Sequence, residues 1–193
     1  MSTVRVVSPR RWTLRDTMAE SRPLARTLML FAGAIALLCT LDPRIPVACG
    51  IAVAALVPAV LVDLIERRLP NRLVAMAAIL GGIASAITVV GGASISPTSA
   101  AVGAASMAGP LVIAHLVSPA SMGFGDVKTA LVLGAALGLV DPMLGLGALA
   151  VGSAGTAIVG GIARRRTVPF GPGLFCGSVA VNVLVVTDVV MVS

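Results

Sequence analysis

From Leu73 to Gly125 the chain runs for 53 residues without one aspartate, glutamate, lysine or arginine. A run of that kind has no place on a water-facing surface, and shorter ones recur at 27–41, 45–62, 142–163 and 167–187. In hydrocarbon every backbone polar group has to be satisfied within its own segment, which makes the helix the natural form, and about 20 residues cross one bilayer. The longest run holds two helices, because "GGASISPTS" at 91–99 interrupts it with Gly, Ser and Pro. Helices are therefore expected near 24–41, 46–63, 73–90, 98–117, 124–140, 143–163 and 169–188. The fold class is all-α, a polytopic membrane helix bundle of about seven spans. The number is six if the first, with only 15 uncharged residues between Arg26 and Asp42, proves too short. Composition agrees: 58% of the 193 residues are hydrophobic and 11% charged. No repeat or linker divides residues 24–193, which read as one domain behind a basic tail, 1–23.

The net charge of +6 would suit nucleic acid, but its distribution points to a membrane and to no nucleic-acid partner. With the N-terminus in the cytoplasm, alternating helices put Arg5, Arg10, Arg11, Arg15, Arg22, Arg26, Arg67, Arg68, Arg72, Lys128, Arg164, Arg165 and Arg166 on one side. Only Arg44 falls opposite. This positive-inside asymmetry sets the N-terminus in and the C-terminus out. The tail is a poor signal peptide, since its basic region is long and no small-residue cleavage site follows the apolar stretch. Cys39, Cys49 and Cys176 lack C-x-x-C spacing, so no metal site is expected; Cys39 and Cys49 could approach each other near the outer surface, or simply serve as small apolar residues.

Against this background "SMGFGDVKTALVLGAALG" at 121–138 is anomalous, because residues 129–140 alone cannot span, and a fifth helix must begin near Gly123–Gly125. Asp126 and Lys128 are thereby drawn to the membrane boundary, where ionisable groups are costly and mark function by default. Asp63 closes the second helix beside the basic "IERRLPNR", and two more helices return the chain to that same face before Asp126. Asp42 and Asp141 each precede proline in outer turns, ordinary turn chemistry; Asp188 lies near the last exit, and Asp16 and Glu20 in the tail. Simpler accounts exist: an interfacial Asp63 paired with Arg67, and Asp126 as a helix cap between loop glycines. The shared face favours a pair. Two carboxylates held close share a proton, so that one serves as base and the other as acid, and together they can activate water against an amide carbonyl. Gly123 and Gly125, without Cβ atoms, let an extended peptide approach Asp126.

"DLIERRLPNRL" at 63–73, "MGFGDVK" at 122–128 and "RRRTVPFGPGL" at 164–174 together resemble the type IV prepilin peptidases, membrane aspartyl proteases of the G-x-G-D kind. The resemblance covers about residues 46–190. It implies that Asp63 and Asp126 are the catalytic pair and that Gly123 and Gly125 shape the second motif. The enzyme it implies sits in the bacterial plasma membrane, works without a cofactor, and cuts short basic leaders from pilin-like precursors at the cytoplasmic face, typically after glycine. Larger members add a cytoplasmic domain with paired C-x-x-C motifs and methylate the new N-terminus. This chain has neither those cysteines nor room for that domain, and its compact layout resembles the stand-alone peptidases of tight-adherence, or Flp, pili. "GPGL" also departs from the pattern, with Gly173 where a bulkier apolar residue is expected.

Among the remaining residues, Lys128 is expected to anchor the interface or meet substrate rather than pair with Asp126, two positions away. Pro70 and Asn71 shape the turn into the third helix, with a secondary chance of contacting the leader. His115, Met122 and Phe124 read as packing residues. The rival function is a small proton-coupled transporter using the same aspartates as ion relays, which would require polar groups along a path through the bilayer. Oligomeric state is not legible. The topology is testable directly: reporter fusions after Arg72 and Arg166 should report cytoplasm, and fusions near Ser94 and Ser193 the exterior. A cytoplasmic C-terminus would break the parity that joins Asp63 to Asp126.

Overall fold

The computed structural model describes residues 23–66, 68–92, 94–119, 123–162 and 169–187. Most of the tail, Arg67, Met122, Arg164–Arg166 and Asp188 lie outside the described residues. Within them the chain is all-helical: α1 Pro23–Cys39, α2 Val47–Glu66, α3 Asn71–Val90, α4 Pro97–Val117, α5 Phe124–Gly138, α6 Leu144–Ile162 and α7 Gly171–Val186. Four of these, α2, α3, α4 and α6, are long and apolar enough to cross a membrane, while Thr27–Leu41 and Gly171–Val186 are shorter apolar helices. The polytopic bundle expected from the uncharged runs is the observed architecture, with most boundaries within two or three residues.

Two differences have local causes. α2 continues past Asp63 to Glu66, since nothing after Asp63 breaks it before Pro70. It is also two helical segments, Val47–Ala55 and Val57–Glu66, that meet at Leu56. Pro58 has no N–H to offer the preceding turn and its ring crowds it, so the ladder tightens there, with the Leu56 N–H on the Val53 carbonyl at 3.1 Å. α4 starts more conventionally: Pro97 follows Ser96, whose hydroxyl accepts the Ser99 N–H at 3.2 Å.

α5 is the centre of the bundle and packs against α2, α3, α4, α6 and α7. Large apolar side chains such as Ile79, Ile83, Ile113 and Ile158 point outward, as suits a protein solvated by lipid, while the interior combines buried apolar residues such as Phe175, Leu133 and Met107 with small residues and a few buried polar ones. Thr129 donates to the Gly125 carbonyl and Ser178 to the Leu174 carbonyl of their own helices. Asn182, fully buried on α7, meets the free thiol of Cys49 on α2, 3.8 Å from its Oδ1. At the end of the bundle opposite Asp63, Arg44 clasps Asp42 at 2.8 Å and reaches the Val186 carbonyl at 3.3 Å, tying the α1–α2 turn to the end of α7. The Arg44 hydrogen bond holds the Asp42 carboxyl at about 2, below the usual carboxylate range. Asp141 caps its own turn by accepting the Met143 N–H at 2.7 Å.

Helices approach most closely along two glycine seams. A methyl group on Gly134 would lie 2.5 Å from the Gly103 carbonyl oxygen, and one on Gly138 would lie 2.5 Å from that of Ser99, so α4 and α5 touch backbone to backbone. Gly152 and Gly177 do the same between α6 and α7, and Gly173 also belongs to this second seam. Its missing side chain makes room for Thr156, which explains the departure at "GPGL". Gly134→Ala should therefore lower stability by about 1–3 kcal/mol, an overpacking cost, as measured by thermal unfolding in detergent. Gly109→Ala, on the same helix pair but facing open space, should be neutral or slightly stabilising.

Candidate active site

The N-terminus of α5 is built around its aspartate. Gly123 is the N-cap, extended at φ −71° and ψ 137°, and Asp126 is the third helical residue. The Asp126 N–H donates to the Gly123 carbonyl at 3.0 Å, and the Gly123 N–H is directed at the Asp126 carboxylate. The carboxylate turned back to the N-cap N–H is half of a capping box, with aspartate in the place of glutamate; glycine has no side chain to supply the other half. A Cβ on Gly123 would make only ordinary contact with Asp126, 3.6 Å from its Oδ2.

Gly125 has a different reason. A methyl group there would lie 2.9 Å from Cβ of Leu69, in the turn between α2 and α3. Leu69 thus nests against the backbone of the G-x-G-D segment. Its other end, Cδ1, faces Gly171 at the start of α7, 3.4 Å from where a methyl would sit. Gly171 in turn abuts Asp63: a methyl on it would lie 2.7 Å from Asp63 Oδ2. One leucine therefore holds three helix ends together and brings the two aspartate segments to a common point.

Asp63 is only 5% exposed, and its Oδ2 has no hydrogen-bond partner among the described residues, although the Gly171 N–H is directed at the carboxyl. A buried, unsatisfied carboxylate oxygen is costly in a protein interior and is uncommon outside working sites. Asp126 is half-buried. The positive end of the α7 dipole meets Asp63, while Asp126 sits in the first turn of α5. Each acid thus lies at the N-terminus of a helix.

The other residues singled out in the sequence gather at one side of this point. Lys128 donates to Asn71 Oδ1 at 3.0 Å and its Nζ lies 5.1 Å over the Phe124 ring. Phe124 is 54% exposed rather than packed inside, and its far neighbour is His115, with ring centroids 5.5 Å apart. Pro70 is the extended N-cap of α3 and accepts the Leu73 N–H at 3.0 Å, which sets Asn71 as the first helical residue facing Lys128. Sequence reasoning missed Leu69 and Gly171. The signal for Gly171 was present in the G-P-G segment of the third motif, but nothing in the sequence pairs it with Asp63.

A family model describing the type IV leader peptidases matches residues 50–161, which is more than half of the 193 and includes both Asp63 and Asp126. The chain belongs to the type IV leader peptidase family. No curated protein and no solved structure gave a match. The family makes the chain a membrane-bound peptidase acting on prepilin-like precursors, and the apolar helices of the bundle agree with that placement.

The contact between Gly171 and Asp63 can be probed by stability alone. Gly171→Ala should cost about 1–3 kcal/mol in thermal unfolding, because either the carboxyl or the first turn of α7 has to move. Asp63→Ala combined with Gly171→Ala should recover most of that loss, since the crowded oxygen is gone. A Gly171→Ala protein as stable as the parent would show that the two do not touch.

Proposed function

We propose that the chain is an aspartic endopeptidase that removes short basic leaders from prepilin-like precursors at the cytoplasmic face of the bacterial plasma membrane, with Asp63 and Asp126 as its catalytic pair. The observation that carries this reading is the convergence of the two acids from separate spans, one buried with an unsatisfied oxygen and the other open beside Gly123. Among the described residues, glycine backbones and Leu69 are what the two aspartate segments meet at this point.

In this mechanism one carboxylate takes a proton from a water molecule while the other, protonated, donates to the carbonyl oxygen of the scissile amide. The proton received from water then passes to the leaving amine. Because coupled acids titrate as a unit, the two roles belong to the pair and are not divided between its members. Gly123 leaves room for an extended peptide beside Asp126, and glycine before the cut lets that peptide lie close. The basic leader stays at the cytoplasmic surface, drawn also by anionic lipid, while the apolar segment behind it remains in the bilayer. Lys128, Asn71 and Pro70 form the edge over which the leader passes. The chain carries no C-x-x-C motifs, so the product leaves without methylation.

A proton-coupled transporter would need a polar route beyond the aspartates. The buried hydroxyls of Thr129 and Ser178 donate to their own helix backbones, and Asn182 faces a thiol, which leaves no chain of exchangeable groups among these residues.

Asp63→Asn and Asp126→Asn should each abolish precursor cleavage, followed as the shift of precursor to mature product, while insertion and accumulation stay normal. The double variant should be no worse than either single one. Asp42→Asn and Asp141→Asn, at the opposite end of the bundle, should keep near-parent activity. A well-expressed Asp63→Asn protein that still processed its precursor would defeat the two-aspartate reading. Mass spectrometry of the product should show a free, unmethylated N-terminus.

A further inference from the structure

Below the aspartates a cleft of about 340 Å³ opens between α3 and α5, floored by α2. Ala48 and Ala52 lie at its floor, Ala78 and Gly82 on the α3 wall, and Leu131 and Ala135 on the α5 wall. It holds no charged side chain, and its serine, Ser85, donates to the Gly81 carbonyl at 2.8 Å. Over much of the bundle the outer surface carries large side chains that keep neighbours away from the backbone; in the cleft the backbone itself is within reach. Membrane helices associate where small residues allow such approach, because packing replaces the absent hydrophobic drive.

The direction of the cleft matches the substrate. Both walls begin at the candidate site: α3 starts at Asn71, bonded to Lys128 of α5, and Leu69 just before it nests on Gly125. Leu131 and Leu139, both in the lining, stand five and thirteen positions beyond Asp126. At ~1.5 Å per residue the cleft extends from roughly 7 to roughly 20 Å away from that carboxylate, toward the opposite face. A precursor whose leader stays at the Asp126 face must send its apolar helix the same way.

We propose that this cleft receives the precursor's apolar helix, with residues at about 5–13 after the cut lying against Ala78, Gly82 and Ala135. The inference rests on the peptidase reading and deepens it: the groove holds the membrane segment so that the bond at its cytoplasmic end lies at the aspartate pair. Small side chains on the facing side of the precursor helix fit best, because Ala78, Gly82 and Ala135 let the two backbones approach closely.

Gly82 is the residue to test, since a Cβ there meets nothing within 4 Å and a larger side chain fills the cleft without disturbing the bundle. In membranes, Gly82→Leu should lower kcat/KM for the full-length precursor by roughly tenfold, chiefly through KM. Gly155→Leu, which faces open space on α6, should match the parent. A photo-reactive side chain at position 82 in the Asp126→Asn protein, which retains uncut precursor, should form an adduct within residues about 5–13 of the precursor helix. Parent-like cleavage by Gly82→Leu, or an adduct only with lipid or with a second copy of this chain, would overturn the proposal. Failure of the parent to cut the precursor at all would instead remove the peptidase reading, and the position-82 adduct would still decide what occupies the cleft.

Discussion

Two carboxylates from different membrane spans can meet only if the helices that carry them come within backbone distance at the right end, and side chains ordinarily prevent this. Here the requirement is met by omission. Gly125 yields to Leu69, Gly171 yields to Asp63, and the Gly103–Gly134–Gly138 seam draws α4 onto α5 so that the short central helix is held on every side. A methyl group at any of these glycines would force a neighbour to shift. The 15-residue α5 is too short to gain much from lipid alone, and its position follows from the neighbours that enclose it.

The same economy explains why α5 can begin with an acid inside a bundle of apolar helices. The Asp126 carboxylate turns back toward the Gly123 N–H, one of the backbone groups that the start of a helix leaves without an intrahelical partner. Asp63 has the opposite surroundings. It is enclosed, incompletely hydrogen-bonded, and set against the start of another helix. One carboxyl is thus accessible and the other sequestered, an asymmetry produced by where each lies on its helix rather than by any difference in residue type.

Much of this was legible in the sequence because charge is excluded from hydrocarbon. Uncharged runs delimited the spans, arginines marked the turns, and counting helices put Asp63 and Asp126 at one end. What escaped were contacts that depend on rotation about the helix axis and on residues with no chemistry of their own. Leu69 is an unremarkable leucine until it is found between two glycines; Gly171 belonged to a recognised motif, yet its neighbour is an aspartate 108 positions earlier. Phe124, read as a packing residue, stands half-exposed between Lys128 and His115.

The interruption of α2 at Leu56 gives one span two separate allegiances. Its outer segment, with Ala48 and Ala52, packs chiefly on α3 and α1, while its inner segment, with Asp63, packs on α7 and α1. A continuous rod would transmit any tilt of one end to the other. The joint at Leu56, beside Pro58, instead sets the stretch of α2 that lines the cleft apart from the stretch whose carboxylate abuts Gly171.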